Sequence, residues 1–225
     1  MLISIVLPTL NEEQGIRKSL DSIPYVLLKK NGFDIEVIVV DGGSIDKTVR
    51  IAQGKGAKVL KTRAGYGHQY MIGFKYARGD IIVTADSDAS YPLEEITSYI
   101  NILTKDNLDF LTTNRFARMK RGSMRTINRI GNIFLTFFTN ILFGLHLKDS
   151  QSGMWVFKKE ILEKIVLTSW GMSFSEEIKI EAFKKLKAKE IPSTYFKRVG
   201  RVKLKIISDG VKNLLFLFKK RFLML

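Results

Sequence analysis

The sequence predicts an α/β protein built on a mostly parallel, open sheet flanked by helices, and three observations predict it. Apolar, β-rich runs recur at Leu2-Ile3-Ser4-Ile5-Val6-Leu7, Glu36-Val37-Ile38-Val39-Val40, Ala57-Lys58-Val59-Leu60 and Ile81-Ile82-Val83. Each is followed by a polar loop and then a helix-like stretch, the alternation expected of βαβ units. Three of the runs end in polar or acidic loops, Pro8 to Glu12, Asp41 to Asp46 and Asp86 to Ser90. In an open α/β sheet such strand ends share one crevice.

Taken in order, the first run leads through Pro8-Thr9-Leu10-Asn11-Glu12-Glu13 to Ile16, Leu20 and Ile23 at helical spacing. The second ends in Asp41-Gly42-Gly43-Ser44-Ile45-Asp46, where paired glycines permit close backbone approach and Ser44 or Asp46 can cap the next helix. The third passes through Arg63-Ala64-Gly65-Tyr66-Gly67-His68 into a helix to about Ala77, closed by Arg78-Gly79-Asp80. The fourth runs into Thr84-Ala85-Asp86-Ser87-Asp88-Ala89-Ser90, and Pro92 then stands where a helix start tolerates proline. Phe110 to Arg115 reads as a fifth strand. A helix is expected from Thr126 to Leu147, a short β-like run at Trp155 to Phe157, and a helix from about Ser175 to Lys189.

The chain has 225 residues, 45% of them apolar, enough for one sizeable core. It has no cysteine, which excludes disulfides and thiolate metal sites, and its two histidines make a zinc site unexpected. The net charge of +15 is uneven: residues 1–114 hold 13 Lys+Arg against 14 Asp+Glu, residues 115–225 hold 24 against 8. The basic half should attract phosphates, anionic lipid or nucleic acid. Nucleic acid is not expected, because no recognisable binding motif is present and the acidic strand ends repel phosphates. Leu2 to Leu7 is too short, and lacks the basic lead, to read as a signal peptide.

Asp86 and Asp88, one residue apart at the end of a buried strand, suit Mg²⁺ or Mn²⁺ shared with the phosphates of a nucleotide. Alone, such a pair reads more readily as a polar turn with a capping Asp. Its neighbours decide. Pro8-Thr9-Leu10-Asn11-Glu12, Asp41-Gly42-Gly43-Ser44-Ile45-Asp46, Asp86-Ser87-Asp88, Asp149-Ser150-Gln151-Ser152-Gly153 and Arg198-Val199-Gly200-Arg201-Val202-Lys203-Leu204 follow one another in this order. The series resembles family 2 glycosyltransferases, and within them the polyprenol-phosphate sugar transferases typified by dolichol-phosphate mannose synthase. The resemblance covers about residues 3 to 205.

It implies a GT-A nucleotide-sugar fold in a single catalytic domain, donor-binding over about 1–114 and acceptor-side over about 115–205, with a basic amphipathic tail at 206–225. It further implies that Pro8, Asn11, Glu12, Asp41, Gly42 and Ser44 surround base and ribose, and that Asp86 and Asp88 hold the metal on the diphosphate. Ser90 stands where the family often has Gln, as a candidate third ligand. Val202 replaces the usual Ser of the last motif, while Arg198, Gly200, Lys203 and Leu204 fit it. Glu176 best fits the family's acidic position, with Glu177 the alternative. The implied reaction is inverting transfer of a hexose, mannose from GDP-mannose first among the donors, to dolichyl or another polyprenyl phosphate. Such an acceptor is already an anion and requires no general base, whereas a hydroxyl acceptor would. Two anionic reactants call for cations instead, and Arg115, Arg129 and Arg198 are the candidates.

Between Thr126 and Leu147, Ile127, Ile130, Phe134, Phe137, Phe138, Ile141 and Leu145 follow one helical stripe, and Arg125, Arg129, Asn132, Thr136 and Asn140 another. This suits a helix lying in a membrane interface, or an ordinary core helix. Val211 to Leu225 is apolar but studded with Lys212, Lys219, Lys220 and Arg221. The expectation is peripheral attachment to the cytoplasmic face of a membrane, through these segments or through a separate anchoring subunit.

Overall fold

Ile3, Ile5 and Leu7 on one face and Ser4 and Val6 on the other make β1 (Leu2–Thr9) buried on both sides, as a central parallel strand requires. In the computed structural model, which describes residues 1–202 and 206–223, β1 lies between β2 (Asp34–Asp41) and β4 (Ile81–Thr84), parallel to both. Beyond β2 lies β3 (Lys58–Lys61), also parallel. The sheet continues through β5 (Phe110–Met119), β6 (Trp155–Lys158) and β7 (Ala188–Tyr195) in the order β3-β2-β1-β4-β6-β5-β7, β6 being antiparallel to both neighbours. The mostly parallel sheet expected from the sequence is therefore present, with a mixed second half.

One face of the sheet is covered by α1 (Ile16–Asp21), a short α2 (Tyr25–Lys30) that the sequence did not mark, α3 (Thr48–Gly54) and α5 (Ile96–Lys105). The other is covered by α4 (Tyr66–Tyr76) and α7 (Phe174–Lys185), whose Tyr70, Phe74, Phe174 and Ile178 pack on Val6, Ile38, Trp155 and Phe157. Each such side chain contributes about 1.5–3 kcal/mol on full burial.

Two expected boundaries are corrected. The helix forecast to Lys189 stops at Lys185, and Ala188–Tyr195 is a strand paired with β5. Strand pairing here overrides a helix-forming Lys-rich composition, and Pro192 is accommodated because β7 is an edge strand. The helix forecast to Leu147 is α6 (Thr126–Phe143), stopped by Gly144 in the left-handed conformation at φ 65°. Asn140 clamps the chain beyond it, donating from Nδ2 to Leu147 O and accepting from Leu147 N.

The amphipathic tail is α8 (Ile206–Leu223), packed beside α6. Both helices are turned inside out relative to ordinary core helices. On α6, Ile127, Ile130, Ile133, Phe134, Phe137 and Ile141 are about half exposed, while Thr136 and Thr139 are buried. No helix among the described residues is long and apolar enough to cross a membrane.

Candidate active site

The carboxyl ends of β1, β2 and β4 meet in one crevice. Asn11, at φ 49°, accepts from Ile45 N through Oδ1, and its own N–H donates to Ser44 Oγ, so the first two loops are bonded to each other. Asp41 is buried and receives Gly43 N and Ser44 N. A side chain at Gly42 would press on Ala64 and Gln69. Gln69 of α4 pins both strand ends, donating from Nε2 to Thr9 O (2.9 Å) and Val40 O (2.7 Å).

A cleft of about 240 Å³ in this crevice is lined by Pro8, Glu12, Tyr66, Asp86, Asp88 and Arg198, among others. Of the residues expected around base and ribose, Pro8 and Glu12 therefore face the cleft. Asn11, Asp41, Gly42 and Ser44 build the turns beside it.

Asp86 is half-buried at the cleft wall, with Tyr66 Oη donating to its Oδ1 at 3.2 Å. Burial first, and then the charge of Asp88, push its carboxyl up to about 7. A bound cation would reverse that penalty. Two carboxylates suit Mg²⁺ or Mn²⁺, which keep some waters and take further oxygens from substrate phosphates. Among the described residues no three His, Cys, Asp or Glu side chains are grouped to hold a metal unaided. Ser90 is buried and faces Asp88 rather than the cleft, donating from N (3.0 Å) and Oγ (2.5 Å) to Asp88 Oδ1. It orients the aspartate.

A second cavity of about 380 Å³ adjoins the cleft and shares Tyr66, Asp86, Asp88 and Arg198 with it. Arg115 lines it, at the point where the β5–β7 register breaks between Asn114 and Arg118, an irregularity that re-aims side chains. Its guanidinium is held by Asp149, Nε to Oδ2 at 2.7 Å and Nη2 to Oδ1 at 2.9 Å. Against the penalty of burial, the charge and hydrogen bonds of Arg115 hold the Asp149 carboxyl below its ordinary value. Arg198 stands between the two spaces, Nη2 donating to Glu12 Oε1 at 2.7 Å and Nη1 lying 3.5 Å from Asp88 Oδ2.

Arg129 is exposed and does not line either space; Arg125, at the N-cap of α6, lines the cavity. Lys203 lies outside the described residues. Glu176 is fully buried behind the cavity, its Oε2 accepting from Gln151 Nε2 at 2.7 Å, and burial pushes its carboxyl well above the usual carboxylate range. Glu177 is committed elsewhere, to Thr168 N, Ser169 N and Lys220. Neither is presented as a base.

The model of the family described as Glycosyl transferase family 2 matches residues 4–166. The chain belongs to that family. It is 35% identical over 219 residues to the low-salt glycan biosynthesis hexosyltransferase Agl6 of Haloferax volcanii, covering 96% of this chain but 52% of that protein, about half its length. It is 30% identical over 210 residues to a dolichyl-phosphate hexose transferase of the same organism, covering 92% and 89%. In fold it resembles glucosyl-3-phosphoglycerate synthase of Mycobacterium tuberculosis, solved with Mn²⁺, UDP and glucosyl-3-phosphoglycerate, at a TM-score of 0.76 and 22% identity over 97% of this chain and 79% of that one. The fold is GT-A.

In this family 2 chain several cavity residues escaped the sequence reading. Tyr66 lay in a noted loop, but its contact with Asp86 is tertiary. A side chain at Gly153 would collide with that tyrosine's hydroxyl, which gives the Ser-Gly pair of the fourth motif a physical reason. Asp209 and Asn213 reach the cavity from α8, and a lone Asp in a basic tail carries no signal.

Proposed function

We propose that this chain is an inverting glycosyltransferase moving a hexose from a nucleotide sugar to a polyprenyl phosphate at a membrane surface. The observation that carries the reading is the location of the second cavity, where four cationic side chains stand beside Asp86, Asp88 and Asp209. Arg115, Arg125, Lys197 and Arg198 line it, together with the early turns of α6 and α8, whose apolar stripes face outward. An anionic head group attached to an apolar chain matches that surface. The relative named dolichyl-phosphate hexose transferase supports this acceptor class.

On this reading Pro8 and Glu12 border the donor, with Asn11, Asp41, Gly42 and Ser44 shaping the loops, and Lys203 supplies a further cation. Asp86 and Asp88 hold Mg²⁺ or Mn²⁺, which when bound supplies positive charge to the departing nucleoside diphosphate. Arg198 has a buried Nε–H with no acceptor among the described residues, suited to a phosphate oxygen. Arg115, fixed by Asp149, presents charge to the acceptor side without reorganisation. The acceptor phosphate attacks the anomeric carbon opposite the diphosphate, and no proton has to be removed.

On α8, Lys212 and Lys219 border one side of the apolar stripe and Arg221 the other, the pattern of a helix lying in an interface. Attachment through the chain's own surface, on the cytoplasmic face, is the corresponding localisation.

A second reading rests on Asp209, a carboxylate that lines both the cleft and the cavity. It could serve as base for a hydroxyl acceptor. The test is transfer of labelled sugar in detergent from GDP-mannose and UDP-glucose to dolichyl phosphate, with Mn²⁺ or chelator and an Asp88→Ala control. Metal-dependent product lost in the control supports the proposal; turnover unaffected by chelator or by the substitution contradicts it.

A further inference from the structure

We infer that α8 is a working wall of the acceptor cavity and that Lys220 is the positioning residue that latches it in place. The inference rests on the phosphate-acceptor reading for its kinetic consequence, and on geometry for the latch itself.

A helix that packs on a globular domain ordinarily buries its apolar stripe. α8 does the reverse. Ile207, Val211, Leu215, Phe218 and Phe222 face outward, and the stripe turned toward the domain consists of Asp209, Asn213, Leu217 and Lys220. Leu217 joins an apolar cluster with Phe143, Leu145, Leu147 and Ile180, and Phe218 touches Phe138 of α6 at its margin. The contacts of Asn213 and Lys220 are polar, and polar contacts are directional: they fix register and orientation where grease alone would let a helix slide.

Lys220 is 3% exposed, with Nζ 2.8 Å from Glu181 Oε1 and 3.2 Å from Glu177 Oε1. Seven residues earlier, Asn213 Nδ2 donates to Gln151 Oε1 at 3.2 Å, and Gln151 Nε2 in turn donates to Glu176 Oε2 at 2.7 Å. Thus α7 grips α8 twice, directly through Glu177 and Glu181 and indirectly through Glu176 and Gln151. Asp209, Gly210 and Asn213, which line the cavity, are held in position by these two grips.

The latch can open without unfolding the domain. Glu177 would keep Thr168 N, Ser169 N and Thr168 Oγ1, and Glu181 would keep Lys185 and Val166 N. Glu177 retains the Thr168–Ser169 loop by itself, and α8 borders the donor cleft only through Asp209 but the cavity through Asp209, Gly210 and Asn213, so Lys220 should bear less on the donor side than on the acceptor side.

The absence of cysteine permits a clean test in the full chain. Spin labels on S98C in α5 and R221C in α8 report the distance between domain and helix, in the native background and with K220M or K220R. The latch predicts a broadened distance distribution in K220M and a native one in K220R. In the same proteins, carried without labels into the transfer assay with dolichyl phosphate, K220M should raise the acceptor KM by about tenfold and leave the donor KM within about twofold, with K220R near native. An unchanged distance distribution in K220M overturns the latch. A broadened distribution with an unchanged acceptor KM overturns α8 as a wall of the cavity. Absence of transfer by the native chain would defeat the acceptor reading and leave the latch to the distances, which report it independently.

Discussion

Arg115 and Asp149 form a buried bidentate ion pair, 2.7 and 2.9 Å across its two bonds, with side-chain exposures of 9% and 0%. The pair joins an irregularity in β5 to the loop before β6, and so fixes a cation at the cavity wall. Removing one partner strands the other. Asp149→Ala is expected to cost about 3–5 kcal/mol, read as a lowered urea midpoint.

Lys179, fully buried, donates to Asp149 O at 2.8 Å, and burial lowers its ammonium to about 7 from 10.5. Between those two values the unfolded chain holds a proton that the folded chain lacks, so stability rises with pH across this window. The burial penalty is complete below about pH 7. The slope from this group is at most about 1.4 kcal/mol per pH unit. Unfolding free energies at pH 7, 8 and 9 should climb more steeply in the native chain than in Lys179→Met; parallel curves would refute the assignment.

With the Asp86 carboxyl pushed up to about 7, a divalent cation must displace a proton below that pH. Mn²⁺ affinity by calorimetry should therefore tighten from pH 6 to 7, by at most about tenfold per unit, and level off above. Asp88→Ala should weaken binding throughout.

Burial holds the Glu176 carboxyl well above the usual carboxylate range, and its Oε2 is engaged by Gln151 Nε2. Glu176→Gln keeps an acceptor for Gln151 and should leave kcat within a few-fold of native. Loss of roughly 100-fold or more would identify it as a base.

The exposed stripes of α6 and α8 predict how membrane binding fails. Phe138 is partly buried against Phe218, whereas Phe134, Phe137 and Phe222 are open. Phe134→Glu, Phe137→Glu and Phe222→Glu together should abolish flotation with anionic liposomes while leaving the melting temperature nearly unchanged.

Strands β1, β2 and β4 were legible because central parallel strands are apolar on both faces and stop abruptly at polar loops. The three loops and their shared crevice followed from that. Strand β7 was not, since Ala188 to Tyr195 alternates too weakly and carries Pro192, and only its partner β5 makes it a strand. The aspartates Asp86 and Asp88 could be read from spacing, but the orienting role of Ser90 and the outward turn of Arg129 depend on packing. Asp209 and Asn213 reach the cavity only because α8 docks by its polar face, an orientation opposite to that suggested by hydropathy.

The central claim is that the acceptor is a phosphate oxygen that needs no base. It is tested most directly by presenting the enzyme, with one labelled donor and Mn²⁺, with a polyprenyl phosphate and the matching polyprenol in parallel. The account predicts label in the phosphate alone, with Asp209→Asn retaining most of the transfer. Label in the free alcohol, abolished by Asp209→Asn, would contradict it.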